Sequence, residues 1–188
     1  MSLFKSRIAL AATAALALSA CATGMAPMAA NPMVGGAAMY ASKNIVENAV
    51  NSQDHTTLVA AVKAAGLVDT LSGTGPFTVF APTNAAFAKL PAGTVDTLVQ
   101  PENKAQLTNI LTYHVVPGRI TAQDIAAAAA ANGGTATFTT VQGEPLRFIG
   151  NGSGWWVVDA KGNRAMITIA NVMQSNGVIH VIDTVLMP

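Results

Sequence analysis

The stretch Phe77-Thr78-Val79-Phe80-Ala81-Pro82-Thr83-Asn84-Ala85-Ala86-Phe87 contains a change from strand to helix. Its first four residues are aromatic and β-branched, which is typical of a buried strand. Pro82 lacks the N–H that would continue a central strand, and Thr83 or Asn84 can then cap a short helix. The stretch therefore predicts a corner at which a buried strand turns into a helix.

The chain before this corner is predicted to be helical. Apolar residues recur at helical spacing on one face, namely Leu58, Val59, Val62 and Ala65. Asp54 or Thr56 can cap this helix and Gly66 can end it. After the corner, Pro91 introduces another helical segment, and residues 104–112 form a further one. The first half of the chain is therefore helix-rich.

The second half is predicted to contain mostly strands. Tyr113–Val116 is a strand candidate, and the alanine-rich residues 122–131 form a helix that ends at Asn132-Gly133-Gly134. Apolar runs separated by turn residues follow at 135–141, 146–149, 155–158, 165–170 and 178–186. The predicted class is α+β, with the helix-rich first half packed on an antiparallel sheet from the second half.

Composition restricts the function classes. The chain has 188 residues, is 51% hydrophobic and 10% charged, and carries a formal net charge of +1. This length is typical of one domain with a tail. Without a basic excess, we expect no nucleic-acid partner. The single cysteine excludes a disulfide within the chain and a multi-cysteine zinc site.

The N-terminus resembles a bacterial lipoprotein leader. Lys5 and Arg7 precede the uncharged residues 8–20, a run too short to span a bilayer as a helix. Leu18-Ser19-Ala20-Cys21 resembles a lipobox, in which the cysteine thiol receives a diacylglycerol and becomes the new N-terminus. Ordinary secretion is the alternative, because Ala20-Cys21-Ala22 also fits a small-x-small cleavage rule. We favour lipidation of Cys21 after removal of residues 1–20, because the only cysteine occupies the required position.

Residues 21–40 are rich in alanine, methionine, glycine and proline and show no sustained periodicity. They predict a flexible tether, which makes residues 41–188 the domain. Ala22 follows Cys21 where an acidic residue would favour retention at the inner membrane. We therefore expect an exported protein, anchored by lipid at the periplasmic face of the envelope or at the outer membrane or cell surface.

No catalytic, cofactor or metal motif is recognisable. Ser153 stands between glycines in a turn and lacks the Gly-x-Ser-x-Gly pattern of a nucleophile elbow. The three histidines, His55, His114 and His180, are far apart in sequence and form no metal-binding pair. We therefore expect no catalytic residue, no cofactor and no bound metal.

Three segments together resemble the motifs of the fasciclin (FAS1) domain. Residues 77–87 are similar to the first homology motif of that family, residues 113–118 to its Tyr-His segment, and residues 176–186 to its second homology motif. Their order and spacing correspond to one copy, from about residue 39 to residue 188. The resemblance implies a single fasciclin-like domain.

The resemblance also implies function. Fasciclin domains are non-catalytic adhesion modules, and in animal members the Tyr-His segment and an Asp-Ile pair are implicated in integrin binding. Tyr113 and His114 are kept here, but Asn171 and Val172 stand at the Asp-Ile position. These four residues are candidate partner-binding residues, although the missing acid argues against integrin recognition.

The remaining motif residues are predicted to be structural. Thr83 and Asn84 form the corner, and His114 and His180 are expected as neutral core histidines, bonded to backbone or to hydroxyls such as that of Thr83. A buried charge would be costly, which favours the neutral form. His55 lies outside the three motifs and is expected to be exposed.

Trp155 and Trp156 are adjacent in a predicted strand, so one indole faces each side of the sheet. We expect one in the core and the other in a partly exposed patch that is a candidate site for a sugar or a partner.

The sequence thus predicts a lipid-anchored extracytoplasmic adhesion or interaction module with a protein or polysaccharide partner. The alternative is a hydrolase-type enzyme that uses His114 with Asp124 or Asp183.

Overall fold

The computed structural model describes residues 31–150 and 152–188. This part of the chain begins with a hairpin of two strands, β1 (Met33–Val34) and β2 (Ala37–Ala38). The helices are α1 (Ile45–Ala49), α2 (Thr56–Ala65), α3 (Val68–Ser72), α4 (Asn84–Ala88), α5 (Thr94–Leu98), α6 (Lys104–Tyr113) and α7 (Ala122–Ala131). The other strands are β3 (Phe77–Pro82), β4 (Val115–Pro117), β5 (Thr135–Thr139), β6 (Pro145–Gly150), β7 (Trp155–Val158), β8 (Arg164–Gln174) and β9 (Gly177–Ile182).

The β1–β2 hairpin corrects the predicted domain boundary. Val34 and Met39 are 4% and 2% exposed and belong to the hydrophobic core. The amide of Gln53 donates to the carbonyl of Gly35 at 3.1 Å, which ties the hairpin to the following chain. The folded part therefore includes residues 31–40, which were expected in the tether. The hairpin is too short to show a periodicity. The predicted leader, Cys21 and residues 22–30 lie outside the described residues.

The large sheet has seven strands in the order β4-β3-β9-β8-β7-β6-β5. Most pairs are antiparallel, as predicted, but β3 and β9 run parallel, with Phe77 opposite Gly177 and Pro82 opposite Ile182. The sheet is therefore mixed, and its centre combines one strand from each half of the chain. The expectation of an antiparallel sheet formed by the second half alone is wrong in this detail.

Two hydrophobic clusters lie on opposite faces of β3 and β9. Val79 and Ile179 belong to the cluster that contains α1, α2 and α6. Phe80 and Ile182 belong to the cluster that contains α7 and the inner face of β5–β8. Every residue of β9 is buried, as is typical of a central strand covered on both faces.

The predicted strand at Tyr113–Val116 is partly wrong. Tyr113 is the last residue of α6, His114 caps that helix in αR conformation, and only Val115 begins the strand β4. The buried face of α6 contains Leu107, Ile110 and Leu111. Tyr113 is also buried, and the helix continues to that residue. Among the described residues, no helix is both long and apolar enough to cross a membrane.

Candidate functional site

The corner at residues 82–84 joins three elements. Thr83 caps α4, because its Oγ1 accepts a hydrogen bond from the amide of Ala86 at 3.2 Å. Asn84 instead reaches back to α2, where its Oδ1 accepts from the amide of Thr57 at 3.0 Å and its Nδ2 donates to the carbonyl of Gln53 at 2.8 Å. The predicted caps of α2, Asp54 and Thr56, are therefore replaced by a residue distant in sequence.

Both ring nitrogens of His114 form hydrogen bonds with backbone groups. Its Nδ1 lies 2.8 Å from the carbonyl oxygen of Ile110 and therefore carries the proton, while its Nε2 accepts from the amide of Leu186 at 3.0 Å. Burial lowers the pKa of His114 from 6.5 to about 4, against a smaller opposing effect of the hydrogen bond to Ile110. The imidazole is neutral in one tautomer and has no nitrogen free for proton transfer.

His180, on β9, has a similar environment. Its Nε2 donates to the carbonyl of Ile120 at 2.9 Å, and its ring stacks on Phe80 with centroids 5.4 Å apart. Burial lowers the pKa of His180 as well. Both motif histidines thus bond to backbone, and neither bonds to the hydroxyl of Thr83, which is used by α4.

The acids of the predicted hydrolase alternative are used elsewhere. Asp124 is exposed on α7, where its carboxylate accepts from the amide and hydroxyl of Thr121 in a capping box. Asp183 accepts from the amide of Met166 at 2.8 Å and forms an ion pair with Lys89 at 3.3 Å. Neither carboxylate is a hydrogen-bond partner of His114.

Three of the four candidate partner-binding residues, Tyr113, His114 and Val172, are buried. Tyr113 is 0% exposed, and its hydroxyl accepts from the amide of Ala160 at 2.8 Å; burial raises its pKa. Val172 is also 0% exposed. Asn171 is partly exposed, but its Oδ1 accepts from the amide of Ala122 at 2.8 Å, and so it fixes the start of α7. Buried side chains present no surface to a partner, so of these four residues only Asn171 is accessible.

The two tryptophans face opposite sides of the sheet, as predicted. Trp155 packs against the cluster that contains α7. Trp156 faces the other side, where its register partners are Ile149 on β6 and Met166 on β8. Arg147 and Arg164 lie on the same side as Trp156, each paired in register with Val158. We call Arg147, Ile149, Trp156, Arg164 and Met166 the outer platform.

Comparison with known proteins agrees with this geometry. The family model described as Fasciclin domain matches residues 53–188, which include all three motifs. This chain belongs to the fasciclin family. The family is a non-catalytic, adhesion-type domain family.

The relatives of this fasciclin-family chain include bacterial proteins, one of which is a cell surface glycolipoprotein. Protein sll1483 of Synechocystis sp. is 50% identical over 83% of this chain and 79% of its own length. Immunogenic protein MPB70 of Mycobacterium bovis is 37% identical over 98% of this chain and 97% of its own. Cell surface glycolipoprotein MPB83 of the same species is 37% identical over 87% of this chain and 76% of its own.

The structure of a FAS1 domain pair from the insect cell adhesion molecule Fasciclin I shares the fold. It matches with a TM-score of 0.69 at 18% identity over 78% of this chain. The present chain spans about half the length of that domain pair, because the match covers 51% of it.

Asn176 is a structural centre of this fasciclin domain that the sequence did not single out. Its Oδ1 accepts from the amide of Ile45 at 3.0 Å, and its Nδ2 donates to the carbonyls of Leu71 and Gly73 at 2.8 and 2.9 Å. Gly177 follows, at a position where an added Cβ would lie 1.9 Å from the carbonyl oxygen of Phe77. The Asn-Gly pair at the start of the second homology motif was the available signal.

His55 is buried in this fasciclin domain, which corrects the expectation that it is exposed. It is 3% exposed, and its Nδ1 lies 2.8 Å from Oγ of Ser52. Its Nε2 has no hydrogen-bond partner among the described residues. Burial lowers the pKa of His55, and the backbone of Ala81 and the charge of Asp54 oppose this shift only in part. A 3₁₀ turn carries the ring inward, beside Val34 and Met39 of the hairpin segment.

In the part of the chain that the structure describes, no three His, Cys, Asp or Glu side chains are grouped in a way that could bind a metal ion. Asp159, in the loop between β7 and β8, uses its carboxylate on the amides of Asn163 and Met187 at 2.8 and 3.0 Å.

Proposed function

We propose that this protein is an exported, lipid-anchored adhesion or interaction module of a bacterial cell envelope that acts by binding and not by catalysis. The observation that carries the proposal is the internal bonding of the motif side chains. His114 and His180 use ring nitrogens on backbone groups in the core, and Tyr113 is buried with its hydroxyl bonded. Groups held in this way stabilise a scaffold and leave binding to the surface.

The proposed anchor rests on the sequence around Cys21 and on relationship. The stretch Leu18-Ser19-Ala20-Cys21 fits a lipobox, and a relative that is 37% identical is a cell surface glycolipoprotein. Two acyl chains on one cysteine make membrane attachment stable, whereas one chain gives marginal binding. We place the domain at the periplasmic face of the envelope or at the outer membrane or cell surface, with a protein or polysaccharide partner and no nucleic acid.

Membrane fractionation tests the anchor. Cys21→Ser replaces the thiol with a hydroxyl that is not a substrate for lipobox acylation, so we expect the variant to leave the membrane pellet or to retain its leader. Met33→Ala, at an exposed position of the hairpin, is the control and should fractionate like the unaltered chain. A Cys21→Ser protein that is processed and still pellets with membranes would show that the lipid assignment is wrong.

Binding and catalysis are tested separately. Beads that carry the intact chain should bind bacterial envelope preparations, and beads that carry heat-unfolded chain should not. In parallel, panels of ester and glycoside substrates should show no turnover by the purified protein. Turnover that is lost in a folded His114→Ala variant would establish the hydrolase in place of the adhesion module.

A further inference from the structure

One side of the sheet formed by β5–β8 is open to solvent at most of its positions, and only Val158 on it, at 4% exposed, is buried. Helix α7 packs on the other side, where its Ile125 lies in one cluster with Ala136, Phe148 and Val157. On the open side, Arg147 and Arg164 are both exposed. The side chains of an antiparallel sheet that face water are ordinarily polar. The composition of this open side departs from that pattern.

The open side of the sheet carries a continuous row of apolar side chains. Ile149, Trp156 and Met166 are cross-strand neighbours on three adjacent strands, and each is partly buried. Cross-strand partners lie about 5 Å apart, so the three side chains form one strip with the indole at its centre. Thr135, opposite Ile149 on β5, adds a hydroxyl at the end of the row. The strip is an open surface, which suits an extended ligand, and it does not enclose a small molecule.

The charge beside this row is positive. Arg147 and Arg164 flank Val158, so their backbones are about 10 Å apart on the same side as the indole. In the described part of the chain, the only ion pair joins Lys89 and Asp183, which leaves both guanidinium groups without a carboxylate partner. The nearby carboxylate of Asp159 is buried and accepts amide hydrogen bonds. Both guanidinium groups are therefore available to an anion.

We infer that the outer platform binds an acidic polysaccharide. A pyranose ring presents an apolar C–H face that can lie on the indole of Trp156, and a guanidinium group binds a carboxylate or sulfate through paired hydrogen bonds. Two arginines beside one indole fit a polymer that carries repeated anionic groups. This inference rests on the proposed binding function and names the chemistry of the partner.

The same features argue against other occupants. A stable protein interface buries about 800 Å² on each partner around an apolar centre, and this strip is three side chains wide. A second copy of the chain would bring two positive platforms face to face. A single-stranded nucleic acid also offers rings and negative charge, and the experiment therefore includes it as a competing probe.

The test measures affinity of the intact chain, solubilised in detergent, for polygalacturonate, dextran sulfate, neutral dextran and oligo-dT. We expect binding to polygalacturonate or dextran sulfate, weakened by added salt, and no binding to neutral dextran. Trp156→Ala and the double variant Arg147→Ala/Arg164→Ala should each reduce affinity at least about tenfold. Trp156→Phe, which keeps an aromatic ring, should recover part of the loss.

Arg119→Ala is the matched control. Arg119 is also exposed, but it lies near Gln174 at the opposite end of β8 from Arg164, about 30 Å away. It should change affinity less than about twofold. Each variant is also melted, and the Arg147→Gln/Arg164→Gln variant is used if the alanine variant is unstable.

Three results would overturn the inference: equal binding of neutral dextran, tighter binding of oligo-dT than of either acidic polymer, or equal losses in the Arg119 and platform variants. The envelope-binding assay separates this failure from that of the proposed function. Beads that bind envelopes regardless of platform variants would reject the platform and keep the adhesion module, whereas beads that bind no envelope would reject the module itself.

Discussion

The Nε2 atom of His114 accepts a hydrogen bond from the backbone amide of Leu186 at 3.0 Å. This bond fastens the end of α6 to the segment that follows the last strand. The carbonyl of His114 also accepts from the amide of Phe80 at 2.9 Å, so the same residue holds β3. His114 therefore connects parts of the fold that are distant in sequence.

Replacing His114 by alanine should destabilise the domain strongly. The change leaves the amide of Leu186 and the carbonyl of Ile110 unpaired and opens a cavity, which together cost roughly 3 kcal/mol or more. For a chain of this size, we expect the melting temperature to fall by about 6–12 °C. Gln106→Ala, an exposed position on α6, is the control and should melt normally. An unshifted melt for His114→Ala would show that the histidine is not structural.

Stability should fall as the pH drops from about 6.5 to 4. The pKa of His114 is lowered from 6.5 to about 4 in the folded protein, so the unfolded chain binds more protons in this range and its population rises. For His114 alone, the lowering of the pKa from 6.5 to about 4 corresponds to a loss of about 3 kcal/mol in the free energy of unfolding. His55 and His180 act in the same direction, because the pKa of each is lowered by burial.

Urea unfolding at pH 7, 6, 5 and 4 measures this dependence. The carboxylates of Asp124 and Asp183, whose pKa values are lowered from 3.8, lose their contribution only below about that pH and do not produce the slope. The slope should be smaller in His114→Gln. A free energy of unfolding that is constant between pH 7 and 4 would contradict a buried neutral imidazole.

Gly177→Ala should prevent normal folding. An added Cβ would lie 1.9 Å from the carbonyl oxygen of Phe77, a backbone atom held in the centre of the sheet. We expect a loss of more than about 4 kcal/mol, visible as an insoluble protein or a collapsed melting temperature. Gly150→Ala is the matched change, because Gly150 is also in a strand and its Cβ would lie 3.7 Å from the ring of Trp155. Similar behaviour of the two variants would refute the steric argument.

Met39→Ala tests whether the β1–β2 hairpin is part of the domain. Met39 is 2% exposed, so truncation removes buried side-chain volume and should cost about 2 kcal/mol or more. Met33, in the same hairpin, is 60% exposed, and Met33→Ala should change the free energy of unfolding by less than about 0.5 kcal/mol. Equal melting of the two variants would place the hairpin outside the cooperative unit and restore a boundary near residue 41.

Local patterns predicted the elements that depend on local residues. The helix at residues 122–131 matches α7, because alanine favours helix and Gly133 and Gly134 adopt positive φ beyond its end. The corner at Thr83 was also predicted from local residues, because Pro82 ends the strand and Thr83 caps the helix. The opposite sides of Trp155 and Trp156 follow from strand alternation.

Features that depend on distant partners were not predictable. Asn84 caps α2 across 27 residues, and the parallel pairing of β3 with β9 joins residues 77 and 177. His55 is buried by a hairpin whose two-residue strands carry no periodic signal. The basic residues of the outer platform stand on different strands, and only the sheet register brings them beside Trp156.

The position of β9 in the sheet has a consequence for the order of events during synthesis. β9 contributes the last strand of the chain and lies between β3 and β8. A nascent chain that stops short of residue 177 lacks the strand between β3 and β8, so each of these two strands has an unpaired edge. We therefore expect the insertion of the final residues between segments made much earlier to be slow, since pairing across such a long loop closes late. Loss of the C-terminal residues removes the middle of the sheet, and we expect such truncated chains to aggregate through their unpaired edges.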